Sequence, residues 1–185
     1  RNTSNEKGFF PGAFSSTIKR EIFSNNTIFG GFDFTERAPN AVELFANGPH
    51  HALEQFEVGD SNMDVETSYN FSLGYSYNDG LDTLKIETYY NYIDDFIAAD
   101  RDGTTTEVEG EDMNNVNFSQ YNALFTGLEV SGQYAFAKID DFDIISNVMI
   151  DFLKGYRTSN DKALSRIPQT KIGRAHVWTP VTDVS

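Results

Sequence analysis

A strict two-residue alternation over 66–77 is the feature that most limits what this chain can fold into. Large side chains all fall on one face of that segment, and small or polar ones fall on the other. This predicts a β-strand, because successive side chains of an extended chain point to opposite faces. Bulky apolar groups opposite small polar ones are typical of a strand between lipid and water. The predicted lipid-facing residues here are Tyr69, Phe71, Leu73, Tyr75 and Tyr77.

The residues after this segment predict that the chain reverses direction. The Asn-Asp-Gly sequence at 78–80 favours a tight turn, because these residue types tolerate the positive φ that hairpin turns require. The alternation resumes at Thr83, and the lipid-facing side of the second strand is predicted to carry Leu84, Ile86 and Tyr90. The two segments are therefore predicted to form one hairpin.

The same alternation predicts two further hairpins. One joins 13–23 to 27–35, and the other joins about 125–136 to 142–152. The connections between the six strands have two lengths, with short turns near positions 25, 79 and 140 and long polar segments at 38–65, 99–118 and 156–168. Short and long connections alternate along outer-membrane barrels. The predicted fold is all-β, an antiparallel up-and-down meander from a large transmembrane β-barrel with long extracellular loops.

Composition excludes several functions. A formal net charge of −14 makes nucleic acid an unsuitable partner, because phosphate binding needs clustered Lys and Arg. Without cysteine, the chain has no disulfide framework and no thiolate metal site. No stretch reaches the roughly 20 apolar residues of a spanning helix. The mean hydropathy of −0.44 suits barrel strands, which alternate apolar with polar residues.

One cluster of side chains has the chemistry to hold a transition metal. It lies in the long connection 38–65, where imidazole and carboxylate groups together suit zinc, copper or nickel. The alternative is an exposed histidine pair in a solvated loop, because adjacent histidines rarely ligate one ion without a strained backbone. The candidate substrate or metal ligands are His50, His51, Glu54, Glu57 and Asp60.

No set of catalytic side chains emerges from the sequence. Every histidine before position 172 lies in the one connection 38–65, and no Ser-His-Asp triad or carboxylate pair has a usable spacing. The chain is therefore predicted not to be an enzyme and to carry no cofactor. A metal or metal chelate would enter only as a transported substrate.

Two short motifs flank the connection 38–65, one ending the strand before it and one beginning the strand after it. Their residues are Arg37, Ala38, Pro39, Glu43, Leu44, Asn62, Glu66 and Ser68. In this order and spacing they resemble the strand-exit and strand-entry motifs of TonB-dependent receptors. The resemblance covers nearly all of 10–171 and corresponds to the C-terminal half of the receptor barrel.

The resemblance implies active uptake of a scarce nutrient, such as a siderophore, haem or a metal, across the bacterial outer membrane. The implied partners are outer-membrane lipid, the substrate, and the TonB complex acting through a plug domain. The plug and the terminal strands of the family have no counterpart in these residues, which implies a fragment. A passive porin or adhesin barrel is the alternative, and a soluble β-sandwich would instead bury its apolar faces against one another.

The last residues are predicted to be foreign to the protein. Residues 172–177 back-translate to a common sequencing-adapter read, and 179–182 continue it after Trp178, which stands one base from the adapter's stop codon. The predicted organisation is a partial receptor barrel over 1–171 and an artefactual tail over 172–185.

Overall fold

Long strands and tight turns make up most of the computed structural model, which describes residues 7–139, 142–160, 163–164 and 171–180. These residues contain nine strands, the short helix α1 (Ala41–Phe45) and a 3-10 turn, His51–Leu53. No helix among them is long and apolar enough to cross a membrane. The strands are β1 (Ala13–Phe23), β2 (Asn26–Arg37), β3 (Asn47–His50), β4 (Gln55–Val58), β5 (Glu66–Asn78), β6 (Thr83–Val108), β7 (Glu111–Ile139), β8 (Phe142–Arg157) and β9 (Lys171–Pro180).

Seven of the strands follow one another across the sheet as an antiparallel meander, in the order β1, β2, β5, β6, β7, β8, β9. This confirms the predicted all-β fold. One pair departs from it, because β4 runs parallel to β7 over Asn114–Asn117. The last pair between β7 and β8 is Ala123 with Arg157. The edge of β7 beyond that pair is therefore free to accept β4.

The register places all eight predicted lipid-facing side chains on one face of the sheet. Tyr77 pairs with Leu84, Tyr75 with Ile86, and Phe71 with Tyr90, and directly paired residues lie on the same face. Most of this face is uncovered, with Phe71 52% and Leu73 64% exposed. A soluble β-sandwich would bury such a face, so the structure argues against that alternative.

On the opposite face, aromatic rings cover glycines of the neighbouring strand. Phe29 pairs with Gly74, and Tyr89 pairs with Gly127. A Cβ atom at Gly74 would lie 2.2 Å from the Phe29 ring, and one at Gly127 would lie 2.3 Å from the Tyr89 ring. Each ring therefore occupies the space that the missing side chain leaves, which locks the register of the two strands.

Replacing Gly74 with Ala should destabilise the sheet by about 1–3 kcal/mol, because the new methyl group and the Phe29 ring cannot share one space. Urea unfolding of the whole receptor in detergent measures the loss. Gly48→Ala is the matched control, since nothing lies within 4 Å of a Cβ there. Equal stability of the two variants would contradict the packing described here.

The long connection predicted at 99–118 is almost entirely strand. β6 and β7 continue through it, and only the turn at Glu109 and Gly110, with φ of 55° and 89°, lies outside them. Hydrogen bonds between polar side chains stabilise this extension. Asn117 donates to Asp102 at 3.0 Å, and the Thr106 hydroxyl donates to Asn115 at 2.7 Å. Two strands of polar sequence thus stay paired well beyond the part of the sheet that carries the apolar face.

The connection 38–65 is also folded, and it contributes to the main buried cluster of the described residues. Leu44 and Met63 from this connection pack with Ile97 of β6, and Met63 is only 2% exposed. Phe9 and Phe118 cover the cluster from the side. The core therefore lies at the end of the sheet where the long connections are, rather than between its faces.

At the other end of the chain, β9 pairs antiparallel with β8, from Lys171 opposite Asp151 to Pro180 opposite Phe142. Backbone pairing does not bear on how this segment arose in the DNA. The artefactual origin of 172–185 therefore stays a prediction, and 181–185 lie outside the described residues. Residues 140–141 in the third predicted short turn, and 161–162 and 165–168 of the predicted connection 156–168, also lie outside the described residues.

Candidate functional site

Arg37 joins the connection 38–65 to the end of the strand that follows it. Its Nη1 donates to both carboxylate oxygens of Glu43 at 3.0 Å. Its Nε and Nη2 donate to the two oxygens of Glu66 at 3.1 Å. All three nitrogens of the planar guanidinium thus donate to two carboxylates at once, with a two-nitrogen fork on Glu66, an arrangement that lysine cannot reproduce. Arg37 therefore fixes α1 against the start of β5.

The local sequence explains why α1 begins where it does. Pro39 has no backbone N–H to donate to a neighbouring strand, so pairing stops and β2 ends at Arg37. The extended backbone that Pro39 favours at Ala38 also keeps the helix from beginning earlier. Asn40 then caps the helix, because its side chain accepts from the amides of Val42 and Glu43 at 2.8 and 3.0 Å. The Glu43 carboxylate accepts from the Asn40 amide at 2.8 Å, which completes a capping box.

A close backbone contact holds the far end of the connection against α1. The Asp60 amide donates to the Glu43 carbonyl at 2.9 Å, and the Gly59 amide donates to the Ala46 carbonyl at 2.8 Å. A Cβ atom at Gly59 would lie 2.7 Å from the backbone of α1, so only glycine fits. Asn62 adds a turn here by donating to the Asp60 carboxylate.

The connection is also tied to β6 and β7. Gln120 exchanges two hydrogen bonds with the backbone of Asp64, at 2.8 and 2.9 Å, and donates to the Asp95 carbonyl at 3.0 Å. Glu66 accepts from the Ile97 amide at 2.8 Å. Ser68 continues the series on β5, where its hydroxyl donates to Asn91 at 2.7 Å. The motif residues thus anchor a folded loop.

The structure brings together two of the five candidate ligands. His50 and Glu57 face each other across the β3–β4 hairpin, with Nδ1 of the imidazole 3.0 Å from the carboxylate. Asp60 is engaged by Asn62, and Glu54 adopts a left-handed backbone with φ of 51°. No group of three or more His, Asp or Glu side chains in the described ranges is arranged to hold a metal ion. Ligand binding by this loop stays a prediction.

Sequence reasoning missed an aromatic cluster around Arg157, at the same end of the sheet. The guanidinium lies 3.5 Å above the centre of the Tyr121 ring and forms an ion pair with Asp100. Phe96 contacts Tyr121 and Phe125, with ring centres 5.8 and 5.6 Å apart. A register shift between Ile93 and Phe96 changes the phase of the alternation on β6. The positive φ of 53° at Asp95 marks this bulge, but a pattern of period two does not reveal it.

The hairpin of β6 and β7 over 99–118 projects beyond the paired parts of β5 and β8, and this projecting hairpin holds the Asp102 carboxylate in place. Asp102 accepts from the Thr104 hydroxyl at 2.7 Å and the Thr104 amide at 2.8 Å. These hydrogen bonds, the hydroxyl first, lower the pKa of Asp102 below its ordinary value, because they stabilise the carboxylate form. The hairpin therefore keeps this negative charge well below neutral pH.

A family model described as TonB dependent receptor-like, beta-barrel, matches residues 7–182. The chain belongs to the TonB-dependent receptor family. The match extends over almost the whole chain and confirms the resemblance that the flanking motifs carry. In this TonB-dependent receptor barrel, those motif residues are the ones that hold the connection 38–65 to the sheet.

Solved receptor structures share the fold. The copper transporter OprC superposes with a TM-score of 0.63 at 17% identity, over 84% of this chain and 23% of its own. The siderophore receptor PirA from Pseudomonas aeruginosa superposes with a TM-score of 0.56 at 19% identity, over 77% of this chain and 30% of its own. PirA from Acinetobacter baumannii superposes with a TM-score of 0.57 at 21% identity, over 86% of this chain and 25% of its own. The chain thus spans less than a third of each receptor, and likeness at these identities shows the fold alone.

Proposed function

We propose that this chain is a wall segment of a receptor in the bacterial outer membrane that actively takes up a scarce nutrient. Energy comes from the TonB complex, which acts through a plug domain of the whole receptor. Membership of the TonB-dependent receptor family supports this proposal. The segment itself performs no catalysis and binds no resident cofactor. Its role is to span the lipid, surround the plug and present extracellular loops to the substrate.

The uncovered apolar face is the observation that carries the proposal. A transmembrane strand needs about 9–11 residues, and β2 and β5 have 12 and 13 residues. Their outer side chains stack in rows across the sheet, with the Phe32 and Phe71 rings 4.9 Å apart. Hydrocarbon accommodates such a face without cost, whereas water does not. On β5 the opposite face carries small and polar groups, which suit a water-filled or plug-filled lumen.

The proposed cargo is a metal or a metal chelate. The family neighbours with this fold include a copper transporter and siderophore receptors. The chain has a net charge of −14, which favours cations and cationic chelates by long-range attraction. His50 and Glu57 stand together on the folded loop and offer one polar contact for such a ligand. The metal is substrate here and is not retained by the protein.

Uptake by the whole receptor tests the proposal. Cells that express it as their sole outer-membrane receptor are given radiolabelled Cu(II) and, separately, a radiolabelled ferric trihydroxamate chelate that carries a free ammonium group and is therefore cationic. We expect one of these probes to accumulate, and accumulation to stop when TonB is deleted or a protonophore is added. Accumulation that is independent of TonB would support a passive porin instead. Accumulation of neither probe would contradict the proposed cargo.

A further inference from the structure

A groove of about 500 Å³ crosses the apolar face of the sheet where β1, β2 and β5 pair. Its volume lies within the range of small-molecule pockets. The walls are almost wholly apolar, and the wall residues Phe71 and Leu73 on the interior strand β5 are 52% and 64% exposed. Its lining on the apolar face includes Ile18, Ile28, Gly30, Phe32, Phe71 and Leu73.

The groove exists because one position in a row of large side chains is glycine. Ile18 pairs with Gly30, and Gly30 pairs with Leu73. A Cβ atom at Gly30 would have only ordinary contacts, at 3.6 Å to the Ser72 carbonyl and 4.0 Å to Leu73. The backbone therefore does not require glycine here. Its absent side chain leaves a gap that a neighbouring molecule can fill.

A cation stands at one end of the groove. Arg20 lines it and lies two residues beyond Ile18 on the same face, which places it about 7 Å nearer the short turn at 24–25. Within the described residues Arg20 forms no ion pair. A charge on a lipid-facing surface is costly unless it reaches the interface and meets an anion. Tyr75, in the same row, is the kind of residue that marks that interface.

We propose that this groove binds one phospholipid of the inner leaflet. One acyl chain lies over Gly30 between Ile18 and Leu73, and the phosphate group meets Arg20. The inference rests on the proposed membrane placement, in which short turns face the periplasm and the inner leaflet lies at their end. Charge complementarity at Arg20 favours a phospholipid over a second receptor copy or an uncharged apolar molecule.

Native mass spectrometry of the complete receptor, released from nanodiscs of phosphatidylethanolamine and phosphatidylglycerol, tests this site. We expect wild type to retain one phospholipid. Gly30→Leu, which fills the gap, and Arg20→Gln, which removes the charge, should each lower retention at least about tenfold. Thr126→Leu adds the same side chain elsewhere on this face, and Arg101→Gln removes an exposed charge from the projecting hairpin. Both controls should retain the lipid.

Two further arms identify the headgroup and separate the inference from the proposed function. Nanodiscs doped with diacylglycerol of the same acyl chains should yield no retained diacylglycerol, because it lacks the phosphate. Retention of diacylglycerol, unchanged retention by Gly30→Leu, or a second receptor crosslinked at position 18 would overturn the lipid site. Outer-membrane insertion and uptake are measured in the same preparations. If the receptor inserts and transports but retains no lipid, the phospholipid site alone is refuted. If it never enters the membrane, both the phospholipid site and the proposed uptake function are refuted.

Discussion

Receptor carrying Leu73→Arg should be almost absent from the outer membrane. Leu73 lies near the middle of β5 on the apolar face, and it is one of the most exposed side chains there, at 64%. An arginine at the midplane of a barrel's lipid face costs about 2–4 kcal/mol. The cost falls on the inserted state and not on the unfolded chain in the periplasm. Quantitative blotting of outer-membrane fractions, with heat-modifiable migration to report folding, measures the loss.

The control for this variant is the neighbouring residue. Ser72→Arg adds the same side chain one position away, on the opposite face of the strand, where Ser72 pairs with Gly31 and lines an open cavity of about 670 Å³. It should insert at a level close to wild type. Failure of both variants to the same degree, or normal insertion of both, would mean that the two faces do not meet different solvents.

Receptor carrying Arg37→Met should open its connection 38–65 about 30-fold more often than wild type. Methionine keeps much of the side-chain length but leaves the carboxylates of Glu43 and Glu66 facing each other without a cation. These carboxylates are 12% and 13% exposed and the Arg37 side chain is 43% exposed. The loss should therefore be about 2 kcal/mol, below that of a fully buried network. Hydrogen exchange of the Gly59 and Asp60 amides measures the opening.

Two variants make this result specific. Arg37→Lys retains the charge but cannot form paired hydrogen bonds to both carboxylates, so its exchange rates should be intermediate. Arg101→Met removes an exposed arginine from the projecting hairpin and should leave the two amides unchanged. If Arg37→Met exchanged at the wild-type rate, the network would not be what anchors the loop.

The strands of the sheet were predictable because the signal for them is local. A period of two over 66–77 determines both the strand and the face of each side chain, and Asn-Asp-Gly determines the turn that follows. The exact pairing of Phe71 with Tyr90 did not follow, because the connection is 79–82, with Asn78 paired to Thr83, whereas a two-residue Asp-Gly turn would pair Phe71 with Thr88. The two flanking motifs also indicated the family correctly, although nothing in their sequence shows that Arg37 bridges Glu43 and Glu66.

The features of the fold that the sequence did not predict depend on contacts between residues far apart in the chain. The parallel pairing of β4 with β7 requires that β8 end early, and no residue within β4 reports where β8 ends. The bulge at Asp95 changes the phase of the alternation and hides the cluster of Phe96, Tyr121 and Arg157. The extension of β6 to Val108 relies on paired polar side chains, which a search for apolar alternation passes over.

Spin-label scanning of 66–77 in the whole receptor tests the central claim most directly. This segment contains no cysteine, so in a whole receptor freed of any cysteine elsewhere, single cysteines can be labelled one at a time in lipid bilayers. Accessibility to oxygen should peak at 69, 71, 73 and 75, and accessibility to a water-soluble nickel chelate should peak at the positions between them. Two profiles with a period of two and opposite phase would establish a strand with lipid on one side and water on the other. Profiles in phase, or without a period, would contradict a membrane-spanning wall.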